Sequence, residues 1–374
     1  MKVNPTKLLV RVIGMDGCSV NTGIHNGAIR LLEVKMGDVL QHVICGLHMN
    51  ELVFWHILCD TDGVTKGPDS LSGPVGSTLS GDIWLEPVVA FKPIAGKVPL
   101  LPDEVIKDLS RDQQLAYRYA QAIQSGVMPD NLAGQTIGPL ITSRWVTCAV
   151  RICCKYTRTG RPCKALVRLT KVALNVYFPG WFVFKQHSHI QQGSKNFFFI
   201  MELTRDSVTV DRAIAIKVLQ DNSHWAHTEN ILISMLCDER EEIRRKAALR
   251  ILKARREFDE ANHPRKFVPP TVNFEVCSFS ILKNKESPPF FYSFIFYLIK
   301  ARNYFDMVDW ETEPSTEPPL TMDLSVQEIL DCIGSPLILP PYPNHTQSVE
   351  RMVRVVSEVS SKRVGYVARH RYDR

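Results

Sequence analysis

The chain has 374 residues, 45% hydrophobic and 22% charged, with a net charge of +6. That composition fits a globular protein of two or three domains rather than a disordered or fibrous chain, and its mild basic excess permits nucleic-acid binding without demanding it. Ten cysteines are scattered without paired C-x-x-C blocks, and no apolar run approaches the ~18 residues of a membrane span, so neither a disulfide framework, a secreted chain nor a membrane protein is expected.

In chain order, the apolar run Leu8–Gly14 ends at Asp16-Gly17. It reads as a buried strand that delivers a carboxylate to its C-terminal edge, where α/β folds place their chemistry. Residues Gly27–Val34 have helical spacing, with Asn21 or Thr22 as N-cap. A second apolar run, Val39–Cys45, then leads into a helix that carries Cys45, His48 and Glu51 at its start and ends near Cys59. The unit is strand, acid, helix, strand, motif, helix. Asp60–Gly81 is a loop by its Gly, Ser, Pro and Asp content. Its Ser72-Gly73-Pro74 turn either sits beside the active edge or, the reading favoured here, is an ordinary surface connection. Val88–Ile94 is an edge strand or an extended arm, with Pro93 and Pro99 setting its bounds.

From Pro102 the pattern turns helical to about residue 260. Asp103–Leu109 is a short amphipathic piece, and Ser110 with Gln113 forms a capping box for Gln114–Ser125, closed by Gly126. A helix starts at Arg144-Trp145 and continues through Val150, Ile152 and Tyr156. Val167–Phe184 is apolar and aromatic, interrupted by Pro179-Gly180. Asp206–Val218, Thr228–Leu236 and Glu239–Glu260 read as further helices. The last of these has acids in its first turns and seven cations after them, Arg244 and Arg245 included. Such a run tracks a DNA backbone or, more commonly, forms a solvated face. Thr312–Pro319 is a linker, Ser325–Cys332 a short helix, and Ser348-Val349-Glu350-Arg351 opens a final helix before a basic tail. His187, His189, His224 and His227 invite a zinc reading, but the missing third and fourth ligands argue against it.

The order strand, Asp16, helix, strand, Cys45-x-x-His48-x-x-Glu51 resembles the catalytic core of hAT-type DNA transposases. The strings around Asp16, Cys45–Leu52 and Asp62–Gly76 are similar to a group of uncharacterised animal proteins of transposon origin. This resemblance implies an α/β fold: a partial RNase H-like core in residues 1–100, a mainly α-helical insertion over 101–265, an irregular linker over 266–319, and a return to the core in 320–374. It makes Asp16 the second catalytic acid and Glu350 the third, with Cys45, His48 and Glu51 near the active edge. Glu350 has a plain alternative as a first-turn capping acid. Arg144 and Trp145 match a short element at the start of the family's insertion, suited to a phosphate and an unpaired base, or else a core anchor beside a solvated cation. Asn273–Val276 and Tyr304–Trp310 look like one family segment split by residues 277–303, an insert read here as translated intron.

Chemistry of this type uses two Mg²⁺ or Mn²⁺ ions about 4 Å apart, held by carboxylates; Asp16 and Glu350 would be the metal ligands of a complete site. The family's first acid belongs on a strand upstream of Leu8 that the sequence does not contain. The expectation is therefore a transposase-derived protein without cleavage activity that binds DNA, forms a homo-oligomer and lies inside the cell, in the nucleus by family resemblance. The alternatives are an active transposase whose chain starts further upstream, and a helical protein-interaction scaffold. A small-molecule substrate is not expected, since the chain has no Gly-rich phosphate loop.

Overall fold

The computed structural model describes residues 12–37, 39–68, 70–140, 144–207, 211–257, 272, 324–340 and 342–345. It is mostly helical with a small parallel sheet. Strand β1 (Val12–Met15) is followed by α1 (Ser19–Thr22) and α2 (Ala28–Met36). Then β2 (Gln41–Ile44) pairs parallel to β1 in the register Val12↔Gln41 to Met15↔Ile44. The ladder continues one step as the Cys45 N–H donates to Met15 O at 2.7 Å. Among the described residues β1 pairs with β2 alone, and its residues stay partly exposed while all four of β2 are buried. Gly27, not Asn21 or Thr22, precedes α2; those two residues end α1, a separate turn. The part of the first apolar run before Val12 lies outside the described residues.

Helix α3 (Gly46–Asp62) is the spine. Its apolar residues are spread round the whole circumference, the signature of a helix buried on all sides. Leu47, Met49, Val53, Phe54, Ile57 and Leu58 are each buried, and each removes about 1.5–3 kcal/mol of apolar surface cost from water. Around it pack α7 (Arg144–Thr157), α8 (Lys164–Val172), α9 (Phe178–Gln186), α10 (Gly193–Asp206) and α11 (Arg212–Asp221), with α4 (Asp103–Asp108), α5 (Arg111–Ser125) and α6 (Asp130–Ala133) outside them. Two glycines let α9 lie close to α3. A Cβ on Gly46 would stand 2.0 Å from the Phe184 ring, and one on Gly180 would stand 2.6 Å from Asn50 Oδ1. Asn50 Nδ2 also donates to Tyr177 O at 2.8 Å, tying the two helices together.

The expected break at Pro179-Gly180 does not occur. A π-helical turn, Ala173–Tyr177, joins α8 to α9 in one continuous run, and Pro179 stands just after it, where the locally irregular bonding of the π turn takes up its missing N–H. The capping box of Ser110 and Gln113 forms as expected. Val88–Ile94 is an arm, not a strand. It gives isolated bonds to helix carbonyls, Val89 N–H to Thr157 O at 3.1 Å and Ile94 N–H to Ile123 O at 3.2 Å.

The Ser72-Gly73-Pro74 turn lies at the far end of α3, about 25 Å from its N-terminus by helix length. It connects rather than acts: Asp62 accepts the N–H groups of Val75 (2.7 Å) and Gly76 (2.6 Å), and a Cβ on Gly73 would be 1.6 Å from Asp62 O. The chain then runs through α12 (Thr228–Leu236) and α13 (Glu241–Glu257), and later returns as α14 (Val326–Gly334), with Ser325 and Glu328 forming a second capping box. Residues 342–345 close onto the core. Ile190 N–H donates to Tyr342 O (2.7 Å), Asn344 N–H to Ser188 O (2.7 Å), and Gly46 N–H to Asn344 O (3.1 Å). One hydrophobic cluster runs from Val43 to Cys332. No helix among the described residues is long and apolar enough to cross a membrane.

Candidate functional site

Asp16 stands at the carboxyl end of β1, half-buried. Its Oδ1 accepts from Cys18 N–H (3.3 Å) and from Asn21 Nδ2 (2.6 Å), which is what the short turn α1 achieves by folding back. Burial pushes the carboxyl pKa up, but the hydrogen bonds from Cys18 and Asn21 and the nearby His48 outweigh it and hold the group below the ordinary carboxylate value. Asp16 is thus ionised at neutral pH with one oxygen committed to the protein.

His48 comes to the same edge from the first turn of α3. Gly17 is where the two meet: a Cβ there would lie 3.2 Å from His48 Cδ2, 3.4 Å from Ile44 Cγ2 and 3.6 Å from Asn222 Oδ1. Asn222, just past α11, therefore reaches this edge from the helical part of the chain. The remaining motif residues point inward. Cys45 and Glu51 are both buried. Glu51 sits near Tyr177, whose hydroxyl pKa is pushed well up by burial and by that carboxylate. So Asp16 and His48 share an edge, Cys45 and Glu51 belong to the packing behind it, and Glu350 lies outside the described residues.

The nucleic-acid candidates separate in the same way. Trp145 is buried between Phe54 (ring centroids 6.5 Å) and Trp55 (6.4 Å), so it anchors α7 and is not presented to a base. Arg144 opens α7, but its side chain lies outside the described residues. Arg244 is 4% exposed, and its guanidinium donates to Asp238 O (2.9 Å), Glu239 O (2.6 Å), Cys332 O (2.8 Å) and Ile333 O (2.8 Å), capping the C-terminus of α14. It is spent on the fold and has no donor left for phosphate. Arg245 is exposed and pairs with Glu241 at 2.6 Å.

Behind β2 lies a buried polar network that joins the βαβ unit to α12 and the turn before it. His42 Nε2 meets Glu33 Oε1 at 3.0 Å, Gln41 donates to Asn230, and Asn230 Nδ2 donates to His224 O (2.8 Å) and His42 O (3.3 Å). Burial lowers the pKa of His224 and His227 to about 3, and neutral His227 Nδ1 accepts the Glu229 N–H at the start of α12. Burial, with Glu33 nearby, pushes Glu229 well above its ordinary value. Among the described residues, no three His, Cys, Asp or Glu side chains are arranged to hold a metal ion. A polar cleft of about 160 Å³ elsewhere, lined by His187, Lys195, Asp238 and Arg240, has its charges matched internally: Asp238 pairs with Lys195 at 3.3 Å and with Arg240 at 2.8 Å.

Sequence reasoning found Asp16 and His48 but missed two neighbours. Asn21 was visible five residues past the acid yet reads as a helix cap. Asn222 carries no local signal, because tertiary packing alone brings it there. Compared with known proteins, the chain matches no family model, no curated protein and no solved structure.

Proposed function

We propose that the chain is a transposase-derived, RNase H-like protein that binds nucleic acid without cutting it. The observation that carries this reading is the ionised Asp16 at the carboxyl end of a parallel βαβ unit with His48 beside it. An α/β edge of this kind is where phosphoryl-transfer chemistry is built. A two-ion site needs several carboxylates, and the two strands bring one. Asp16 would hold a divalent ion through its second oxygen, and Glu350 is the candidate for a further ligand. Nucleic acid would be met by exposed cations of α13 such as Lys246 and Lys253, through phosphate contacts that weaken with salt.

A mobility-shift titration of the full chain with duplex and single-stranded DNA, followed by a Mg²⁺ or Mn²⁺ nicking assay, tests it. The expected result is salt-sensitive binding, reduced by Lys246→Ala/Lys253→Ala, with no nicking. Specific nicking abolished by Asp16→Asn would establish an active enzyme instead. Absence of any binding at low salt would favour the protein-interaction scaffold.

A further inference from the structure

We propose that the exposed face of α8 is a sequence-indifferent contact for the phosphate backbone of duplex nucleic acid. Between Asp130 and Glu202 the chain carries ten cations and not one acid, although the two signs are nearly balanced overall, 45 against 39. The fold uses several of the ten itself. Arg151 donates to Leu79 O and Gly138 O (both 2.7 Å) and Arg158 to Glu86 O (3.0 Å), while Lys155 pairs with Glu86 (2.9 Å) and Lys195 with Asp238 (3.3 Å). Arg161, Lys164 and Lys171 stay exposed, and no acid among the described residues pairs with them. Lys164, Arg168 and Lys171 lie within about 60° of one another round α8, so they form one stripe. Its middle member, Arg168, meets Asp60 at 2.8 Å, the one acid on this face. Asn175 Nδ2 donates to Lys171 O (3.0 Å) and to Ala95 O (3.1 Å), and Lys97 N–H donates to Leu174 O (3.0 Å). The extended arm thus sets a further cation, Lys97, at the end of the stripe.

Composition identifies the occupant. A row of cations rich in one sign attracts a polyanion. No aromatic residue stands between Tyr156 and Tyr177, so the face has nothing to stack on unpaired bases or to insert among lipid tails. Its one side-chain amide, Asn175, is committed to two carbonyls. The remaining donors suit phosphate oxygens and read no base edge. From Lys164 to Asn175 the stripe runs about 16 Å, the span of roughly five phosphates of one duplex strand. On α13, by contrast, Arg245 and Lys253 lie beside acids of their own helix, Glu241 at 2.6 Å and Glu257 at 3.7 Å. This inference rests on the nucleic-acid reading above and adds a second contact surface to it.

Fluorescence anisotropy of the full chain with short duplexes of several sequences, at several salt concentrations, is the test, with thermal melting run alongside. Salt-sensitive binding of equal strength to every duplex is expected. Lys164→Gln/Lys171→Gln should reduce the slope of log affinity against log salt by about two and leave the melting temperature unchanged. If Lys246→Ala/Lys253→Ala lowers the slope and Lys164→Gln/Lys171→Gln does not, the proposal falls while the nucleic-acid reading stands. If no duplex is bound at low salt, both fall. Tighter binding to single strands than to duplex, or to phosphatidylserine vesicles than to duplex, also overturns it.

Discussion

Arg244 and Arg245 are neighbours in sequence with opposite fates. The first is buried and donates to carbonyls from two segments; the second stands in solvent beside Glu241. Arg244→Ala should cost about 3 kcal/mol in urea unfolding, because it leaves several buried carbonyls without donors. Arg245→Ala should change stability by about 0.5 kcal/mol or less, as exposed i,i+4 pairs do. Equal losses for the two would refute the assignment of Arg244 to the fold. A charge run is legible in sequence, but the register that turns one of its cations inward is not, since it depends on where α14 returns some ninety residues later. Asp16 was legible for the opposite reason: a carboxylate directly after an apolar run needs no distant information to be placed at a strand end.

At the scale of elements, α3 and α9 explain what local patterning could and could not reveal. Apolar periodicity found both strands, and the capping box of Ser110 and Gln113 found the start of α5. It did not find the close crossing of α3 over α9, which depends on Gly46 and Gly180 facing Phe184 and Asn50. Nor did it foresee the π turn, which carries a helix through a Pro-Gly pair that local rules treat as a stop. Gly46→Ala should destabilise the protein by roughly 2–3 kcal/mol by overpacking. Combining it with Phe184→Leu should recover part of that loss, since residues in contact are energetically coupled. Chemical denaturation of the single and double variants measures this, and strictly additive losses would show that the two do not meet.

For the whole molecule, the packing of the βαβ unit and the helices depends on buried histidines that must stay neutral. Burial lowers His187 to about 4 and His224, His227 and His345 to about 3. Below pH 6.5 the unfolded chain binds protons that the folded chain refuses. Each histidine therefore removes up to about 1.4 kcal/mol per pH unit as pH falls from 6.5 toward its folded value. Glu229 works in the other direction, since its raised pKa costs stability as pH rises above 4.5, but it is one group against four. Stability should fall steeply between pH 6.5 and 4.5, and His227→Gln, which keeps an acceptor for the Glu229 N–H, should flatten that slope. Urea midpoints measured across this range decide the matter; a flat profile for the parent chain would refute it.

The Gln41–Asn230 bond, behind the strand, bears on how the protein is made. Its partners are 189 positions apart. At about 5–20 residues per second, a ribosome needs on the order of 10–40 s to reach the second after finishing the first. During that interval α2 can take His42 of β2 through Glu33, but Gln41 has no partner in α12, and two strands alone are marginally stable in water. The βαβ unit, although made before α12, thus settles only once α12 has emerged. Until α12 emerges, the nascent chain holds Gln41 without the Asn230 that meets it in the folded protein.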